Sequence, residues 1–304
     1  MHGFPPSFFA IIIISFLVCK IPSYDTIKSG GKMMGIITNI AVQKNNLERF
    51  RITVQKENGE TFVITIDQDV LLQFRLKKGM KIDEDSLQQI VYADQVKKAY
   101  HQALYFLSHR MRSEREVTDH LRKKGAADDV IAKVLDKLRE NKYVDDREFA
   151  FAYVRTQKQT TAKGPYVIRK ELEKLGIAEE WIEKSLAHYS FAEQVERARS
   201  LYEKAKKQRT KQSARQWKYQ VEQLLQRKGF SREVIDAVFS SGTDEREEQE
   251  WEALDYQGRK AHRRYEKYES PLYEQKMKQA LYRKGFPLEM IEQFLRQLKN
   301  EQER

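Results

Sequence analysis

Apolar and polar positions follow helical spacing through most of this chain, and four stretches repeat one pattern around a glycine. Aligned on Gly125, Gly176, Gly229 and Gly285, apolar residues stand eight before (Val117, Ile168, Val221, Met277) and four before (Leu121, Leu172, Leu225, Leu281). They return six after (Ile131, Ile182, Ile235, Ile291) and ten after (Leu135, Leu186, Phe239, Leu295). A spacing of four places each pair on one helix face. The glycine supplies the left-handed turn that ends the first helix. The pattern therefore predicts helix, glycine turn, helix, four times over, with longer helical runs between at 144–157, 190–205 and 244–268.

Ahead of these repeats the period shortens. Residues 35–43 (GIITNIAVQ), 49–55 (RFRITVQ) and 60–67 (ETFVITID) are rich in Ile, Val, Thr and Phe, and KENG between the last two reads as a hairpin turn. A short helix, DVLLQFRL, and the stretch KKGMKID lead into a long helix from about Glu84. The expected fold is mainly α: a solenoid of tandem three-helix repeats preceded by a small α+β cap built on a β-hairpin. The cap takes 33–93, and the repeats take 94–162, 163–209 and 210–269, with a partial repeat of two helices at 270–304. Such units bury their apolar faces against their neighbours.

Helix punctuation agrees with this division. Ser113 and Glu116 form an S-x-x-E capping box. Pro165 after Gly164 and Pro271 after Ser270 suit first-turn positions. Asp145 or Asp146 caps the helix carrying Phe149, Ala150 and Tyr153. The run 244–268 begins acidic (Asp244, Glu245, Glu247, Glu248) and ends basic (Arg259, Lys260, Arg263, Arg264, Lys267), in step with the helix dipole.

Residues 8–19 (FFAIIIISFLVC) form an apolar run too short to span a bilayer comfortably. No Lys or Arg precedes it, as a signal peptide would need, and Val18 before Cys19 argues against lipoprotein cleavage. A ribosome-binding sequence GGAGGT read in frame spells Gly-Gly, and Gly30-Gly31 stands just before Met33 and Met34. Residues 1–32 thus read as untranslated leader; the alternative is a weak hydrophobic segment beside a membrane.

Charge narrows the function. Among 304 residues, 56 Lys and Arg oppose 45 Asp and Glu, a formal net charge of +11 that favours a polyanionic partner. The single cysteine, Cys19, excludes a disulfide framework and has no cysteine partner for zinc, so the cytoplasm is the expected compartment. The six histidines (2, 101, 109, 120, 188 and 262) lack metal-ligand spacing. Gly30-Gly31-Lys32 is followed by Met33 rather than Ser or Thr, so it is not a phosphate loop, and no G-x-S-x-G is present. The expectation is a non-enzymatic protein with no cofactor and no metal.

The positive charge is concentrated. From Arg197 to Arg232, twelve Lys or Arg meet only Glu203 and Glu222. Lys and Arg near helix C-termini merely answering the dipole would explain single residues but not this segment. The candidate polyanion-binding residues are Arg110, Arg112 and Arg115 at the start of the first unit, and Arg122, Lys123 and Lys124 before its glycine. Lys163, Arg169 and Lys170 follow in the second unit, then Lys206, Lys207, Arg209, Lys211, Arg215 and Lys218 in the basic segment. Tyr105, Tyr166, Trp217 and Tyr219 lie among these charges, where they can stack on bases. The second helices, DDVIAKVLDKLREN and AEEWIEKSLAHY, start acidic, which favours phosphate contact over reading of base edges.

Three strings in this order carry a resemblance: R-x-R-S (Arg110 to Ser113), D-D-x-x-F-A (Asp145 to Ala150) and G-P-x-x-I-x-x-E-L (Gly164 to Leu172). From about Asp94 onward the chain resembles the RecX family, bacterial regulators of the RecA recombinase, and its strand-rich cap is similar to the Gram-positive version. Two departures stand out: residues 1–32 have no counterpart, and Ala126-Ala127 replaces the bulky apolar residue usual after the first glycine, so that turn should pack less tightly. The resemblance implies a cytoplasmic, non-enzymatic protein that binds the RecA filament on single-stranded DNA. The partners expected are that filament and single-stranded or double-stranded DNA, with no membrane, and the expected state is a monomer. It implies binding in the filament groove that damps ATP hydrolysis, filament growth and strand exchange. It implies structural roles for Ser113 and Asp146 as caps, Gly164 and Pro165 as a turn, and Phe149 and Ala150 in packing. The competing readings are a DNA-binding transcriptional regulator built of tandem helix-turn-helix modules, and a protein-binding scaffold whose charge serves solubility.

Overall fold

The computed structural model describes residues 33–44, 46–208, 211–240 and 247–302. The leader reading of residues 1–32, the acidic residues Asp244 and Glu245, and the candidate Arg209 fall outside them. The chain divides into two compact units, one up to His101 and one from Gln102.

In the first unit the alternating segments pair as expected. Strands β1 (Met33–Gln43), β2 (Asn46–Gln55) and β3 (Thr61–Asp67) form an antiparallel meander, with Ile52 opposite both Ile40 and Ile64. The short helix α1 (Gln68–Gln73) follows, capped by the Asp67 carboxylate. Strand β4 (Lys81–Asp83) then pairs with the free side of β1, giving the order β3-β2-β1-β4. Three residues are too few to show a period, which is why β4 is invisible in the pattern. Ile37, Ile52, Val54, Ile66 and Ile82 line one face and bury against Val70 of α1 and Ile90 at the start of α2 (Glu84–Leu107).

After α2 every regular element among the described residues is a helix. Four pairs flank the glycines: α3 (Glu114–Lys123) with α4 (Asp128–Glu140), α6 (Pro165–Lys174) with α7 (Glu179–Leu186), α9 (Ala214–Arg227) with α10 (Arg232–Ser240), and α12 (Ser270–Arg283) with α13 (Leu288–Gln302). Between them run α5 (Asp146–Thr160), α8 (Phe191–Lys207) and α11 (Glu247–Tyr265). The four glycines have φ of 80 to 88°, a conformation that costs other residues. At each turn the next N–H donates to the carbonyl of the leucine four before the glycine, as Ile177 does to Leu172 at 3.1 Å. That leucine thus serves core and turn together.

The positions eight before, four before and six after each glycine are buried, at 2 % exposure or less. The position ten after is not the inner one. Leu135, Phe239 and Leu295 are only half-buried and Leu186 is at the margin, whereas Val134, Ser185, Val238 and Phe294, one residue earlier, are sealed. Phe294 reaches inward because Gly258 of α11 leaves room where a Cβ would strike its ring. Ala126 and Ala127 leave the first turn thin as expected: Ala126 is half-buried, while its counterparts Ile177, Phe230 and Phe286 are at 5 % exposure or less.

Buried clusters join each long helix to the pair that follows it: α5 with α6 and α7, α8 with α9 and α10, α11 with α12 and α13. The sequence boundaries instead place each long helix after its pair. A repeating string can be cut at any of three points, and periodicity alone does not choose among them.

Successive pairs meet through one recurring joint. The Ser113 hydroxyl donates to the Leu175 carbonyl at 2.8 Å, the Gly164 N–H to the Lys228 carbonyl at 2.7 Å, and the Ser213 hydroxyl to the Lys284 carbonyl. Each acceptor immediately precedes the next pair's turn glycine. At Gly164 the backbones approach so closely that a Cβ would run into the Gly229 carbonyl. Ser113 also forms the predicted capping box with Glu116. Of the two aspartates, Asp145 caps α5, while Asp146 caps α3 by accepting from the Glu114 N–H at 2.9 Å. Glu250 plays the same part for the Ala214 N–H at 2.7 Å, and at the middle joint Pro165 has no N–H to satisfy.

Candidate nucleic-acid interface

The candidate cations separate by what surrounds them. Around α3 most are occupied. Arg110 forms a two-pronged pair with Glu116, and Arg112 reaches the same carboxylate at 3.3 Å while its guanidinium lies 4.2 Å over the Phe106 ring. Phe106 in turn stacks on His120 at 4.0 Å. Arg112, with its side chain 18 % exposed, is therefore packed into the fold. Burial tends to raise the Glu116 carboxyl, but Arg110, the Ser113 N–H and Arg112 together hold it below the usual carboxylate range. Arg115 lies near Asp119 at 4.0 Å, and its stem covers Gly176. Arg122 grips Asp128 at 2.9 Å. Lys123 and Lys124 are exposed, with no ion pair to another described residue.

Around α6 the pairing is nearly complete. Lys163 meets Glu171 at 2.6 Å, and Tyr153 donates to the other oxygen of that carboxylate at 2.9 Å. Arg169 spans Glu179 and Glu183, whose hydrogen bonds and charge hold its guanidinium proton more firmly than usual. Lys170 meets Glu173 at 2.9 Å.

The segment of α8 and α9 differs. Lys206, Lys207, Arg215 and Lys218 have no ion pair to another described residue, and Lys207, Arg215 and Lys218 are exposed. Lys218 lies 5.2 Å from the centre of the Phe239 ring, and Lys211 sits 4.0 Å over Tyr256. Arg232 at its end is held by Glu222 and Asp236. Helix α9 is also one turn longer than α3 or α6, and that turn carries Arg215 and Trp217. The stem of Arg215 packs beside Gly285, repeating the place of Arg115 over Gly176. Sequence reasoning missed this double duty; its only trace is that both arginines stand two residues after a capping serine.

Tyr105, Tyr166 and Tyr219 are 72, 63 and 62 % exposed, open to stacking. Trp217 is not: it is 5 % exposed and meets Tyr202 edge-on at 5.2 Å in the core beneath α8. It stands four residues before Val221 and eight before Leu225, so the extra turn of α9 continues the buried face and Trp217 belongs to it despite its basic neighbours. Among the described residues no group of His, Cys, Asp and Glu could hold a metal ion, and no helix is long and apolar enough to cross a membrane.

Comparison with known proteins fits this architecture. Profiles described as the first, second and third three-helix domains of RecX match residues 99–138, 145–186 and 192–239, and the third matches again at 247–295. These spans group the helices as the buried clusters do. The Regulatory protein RecX N-terminal domain matches 35–83. Regulatory protein RecX of Geobacillus sp. (strain WCH70) is 80% identical over 266 residues, covering 88% of this chain and 98% of its own. That of Geobacillus kaustophilus (strain HTA426) is 60% identical, covering 88% and 100%. A crystal structure of regulatory protein RecX superposes with a TM-score of 0.59 at 33% identity, covering 68% of this chain and all of that one. With all four of its domain types matched in order, the chain belongs to the RecX family of regulatory proteins.

Proposed function

We propose that this protein regulates the RecA recombinase by binding its filament on single-stranded DNA, lowering DNA-dependent ATP hydrolysis, filament growth and strand exchange. It acts as a monomer in the cytoplasm, and the α8–α9 cations contact phosphates. Lys123 and Lys124 add a second, smaller contact, and the paired cations of α3 and α6 serve the fold. The observation that carries the reading is that Lys206, Lys207, Arg215 and Lys218 have no carboxylate partner among the described residues, in a member of a regulatory family. Phosphate contact explains why a protein would keep such a run at the expense of self-repulsion.

The test compares binding to RecA-coated single-stranded DNA, to bare DNA and to RecA alone, alongside the RecA ATPase. The reading expects tightest binding to the coated strand, a fall in RecA ATPase at stoichiometric amounts, and no hydrolysis by this protein alone. Unchanged RecA ATPase, or equal binding to RecA without DNA, would sink it.

A further inference from the structure

Of the four seams between a preceding segment and the first helix of a glycine pair, the first three are filled differently. In the first, Glu116 and His120 stand nine and five residues before the glycine, and Arg110, Arg112 and Phe106 close over them. In the second, the equivalent of His120 is Glu171, closed over by Tyr153 and Lys163. In the third these places fall to Gln220 and Leu224, and the seam is an open groove of about 550 Å³.

Ala205, Val221, Leu224 and the edge of Trp217 give that groove an apolar floor, and Gln208, Gln212, Gln220 and Gln223 give it an amide rim. Tyr219 and Arg227 complete the wall, both exposed. Among the described residues lining it none is acidic. Lys206 and Lys207 lie between two of its lining residues, Ala205 and Gln208, in the last turn of α8.

We infer that this groove takes an unstacked nucleobase of single-stranded DNA, with the neighbouring cations holding the flanking phosphates. The inference rests on the DNA contact proposed above and adds the base to it. An apolar floor beside an exposed tyrosine suits the face of a base, and stacking is tolerant of sequence. Amides offer both donors and acceptors, so they meet any base edge, whereas the carboxylates that fill the other two seams would repel a nucleic acid. The volume falls in the range that holds a small organic ligand, enough for a nucleotide. A duplex keeps its bases stacked and does not present one to such a groove.

The test uses the full chain and two fluorescein-labelled oligonucleotides of equal length, one of thymidine and one abasic throughout, with binding followed by anisotropy over a range of salt. The wild type should prefer the thymidine strand by about fivefold or more, the lower end for one stacked base. Tyr219→Ala/Gln220→Ala, both at exposed positions, should reduce that preference below about twofold while the salt slope stays unchanged. Equal wild-type binding of both strands overturns the groove and leaves the phosphate contact standing. A variant that keeps the full preference also overturns it. Failure to bind either strand overturns the DNA reading and the groove with it.

Discussion

The cations around α3 and α6 and those of α8 and α9 are the same residue types in opposite situations. Arg169 is clasped by two glutamates and Lys163 by one, so their charge is spent inside the fold. Lys206 and Lys207 have no such partner among the described residues. Charge counts along a sequence rank both regions as basic; only the pairing separates a region that stabilises the chain from one that can act outward. The difference is testable because the two kinds of substitution should fail differently.

The core sets the scale. Leu172→Ala, at a fully buried position that also supplies its turn carbonyl, should cost about 2–5 kcal/mol by chemical denaturation. Next comes the paired region: Arg112→Ala should cost about 1–3 kcal/mol, losing the Glu116 contact and the cover over Phe106. A variant as stable as wild type would place Arg112 among the outward cations after all.

The pairing also carries a pH signature. Because Glu116 is held below the usual carboxylate value, its stabilisation is present above the unfolded value of about 4.3 and is lost as pH falls through the lower folded value. Asp146 runs the other way: burial raises its carboxyl, so its ionisation weighs against the fold above its own unfolded value of about 3.9 and is relieved on acidification. Glu116→Gln should therefore lower the denaturation midpoint at neutral pH and make its decline below about pH 4.3 shallower. An unaltered acid limb would detach the arginines from Glu116. The smallest effect on stability belongs to the outward region, where Lys206→Gln/Lys207→Gln should stay within about 0.5 kcal/mol of wild type.

The repeat was legible because burial enforces it: Leu121, Leu172, Leu225 and Leu281 could be placed from spacing alone. The strand-rich cap was legible for the same reason except at β4, whose three residues pair by main-chain bonds and leave no pattern. The joints were not legible. A serine before a helix signals a cap, but nothing local says that Ser113 and Ser213 also bond the next turn, 62 and 71 residues away. The pairing of Arg110 and Arg112 was not legible for a related reason: their carboxylate, Glu116, was read only as a capping residue. Trp217 misled because its basic neighbours outweighed its spacing: it stands four residues before Val221, in line with the buried face of α9.

The salt dependence of binding to single-stranded DNA tests the central distinction most directly. Affinity would be measured between about 50 and 200 mM salt for wild type, for Lys206→Gln/Lys207→Gln and for Arg169→Gln/Lys170→Gln. Each phosphate contact contributes about 0.7 to the log–log slope, so the first double variant should lose up to about 1.4 and the second nothing. Equal losses in both variants, or a loss only in the α6 pair, would contradict the account.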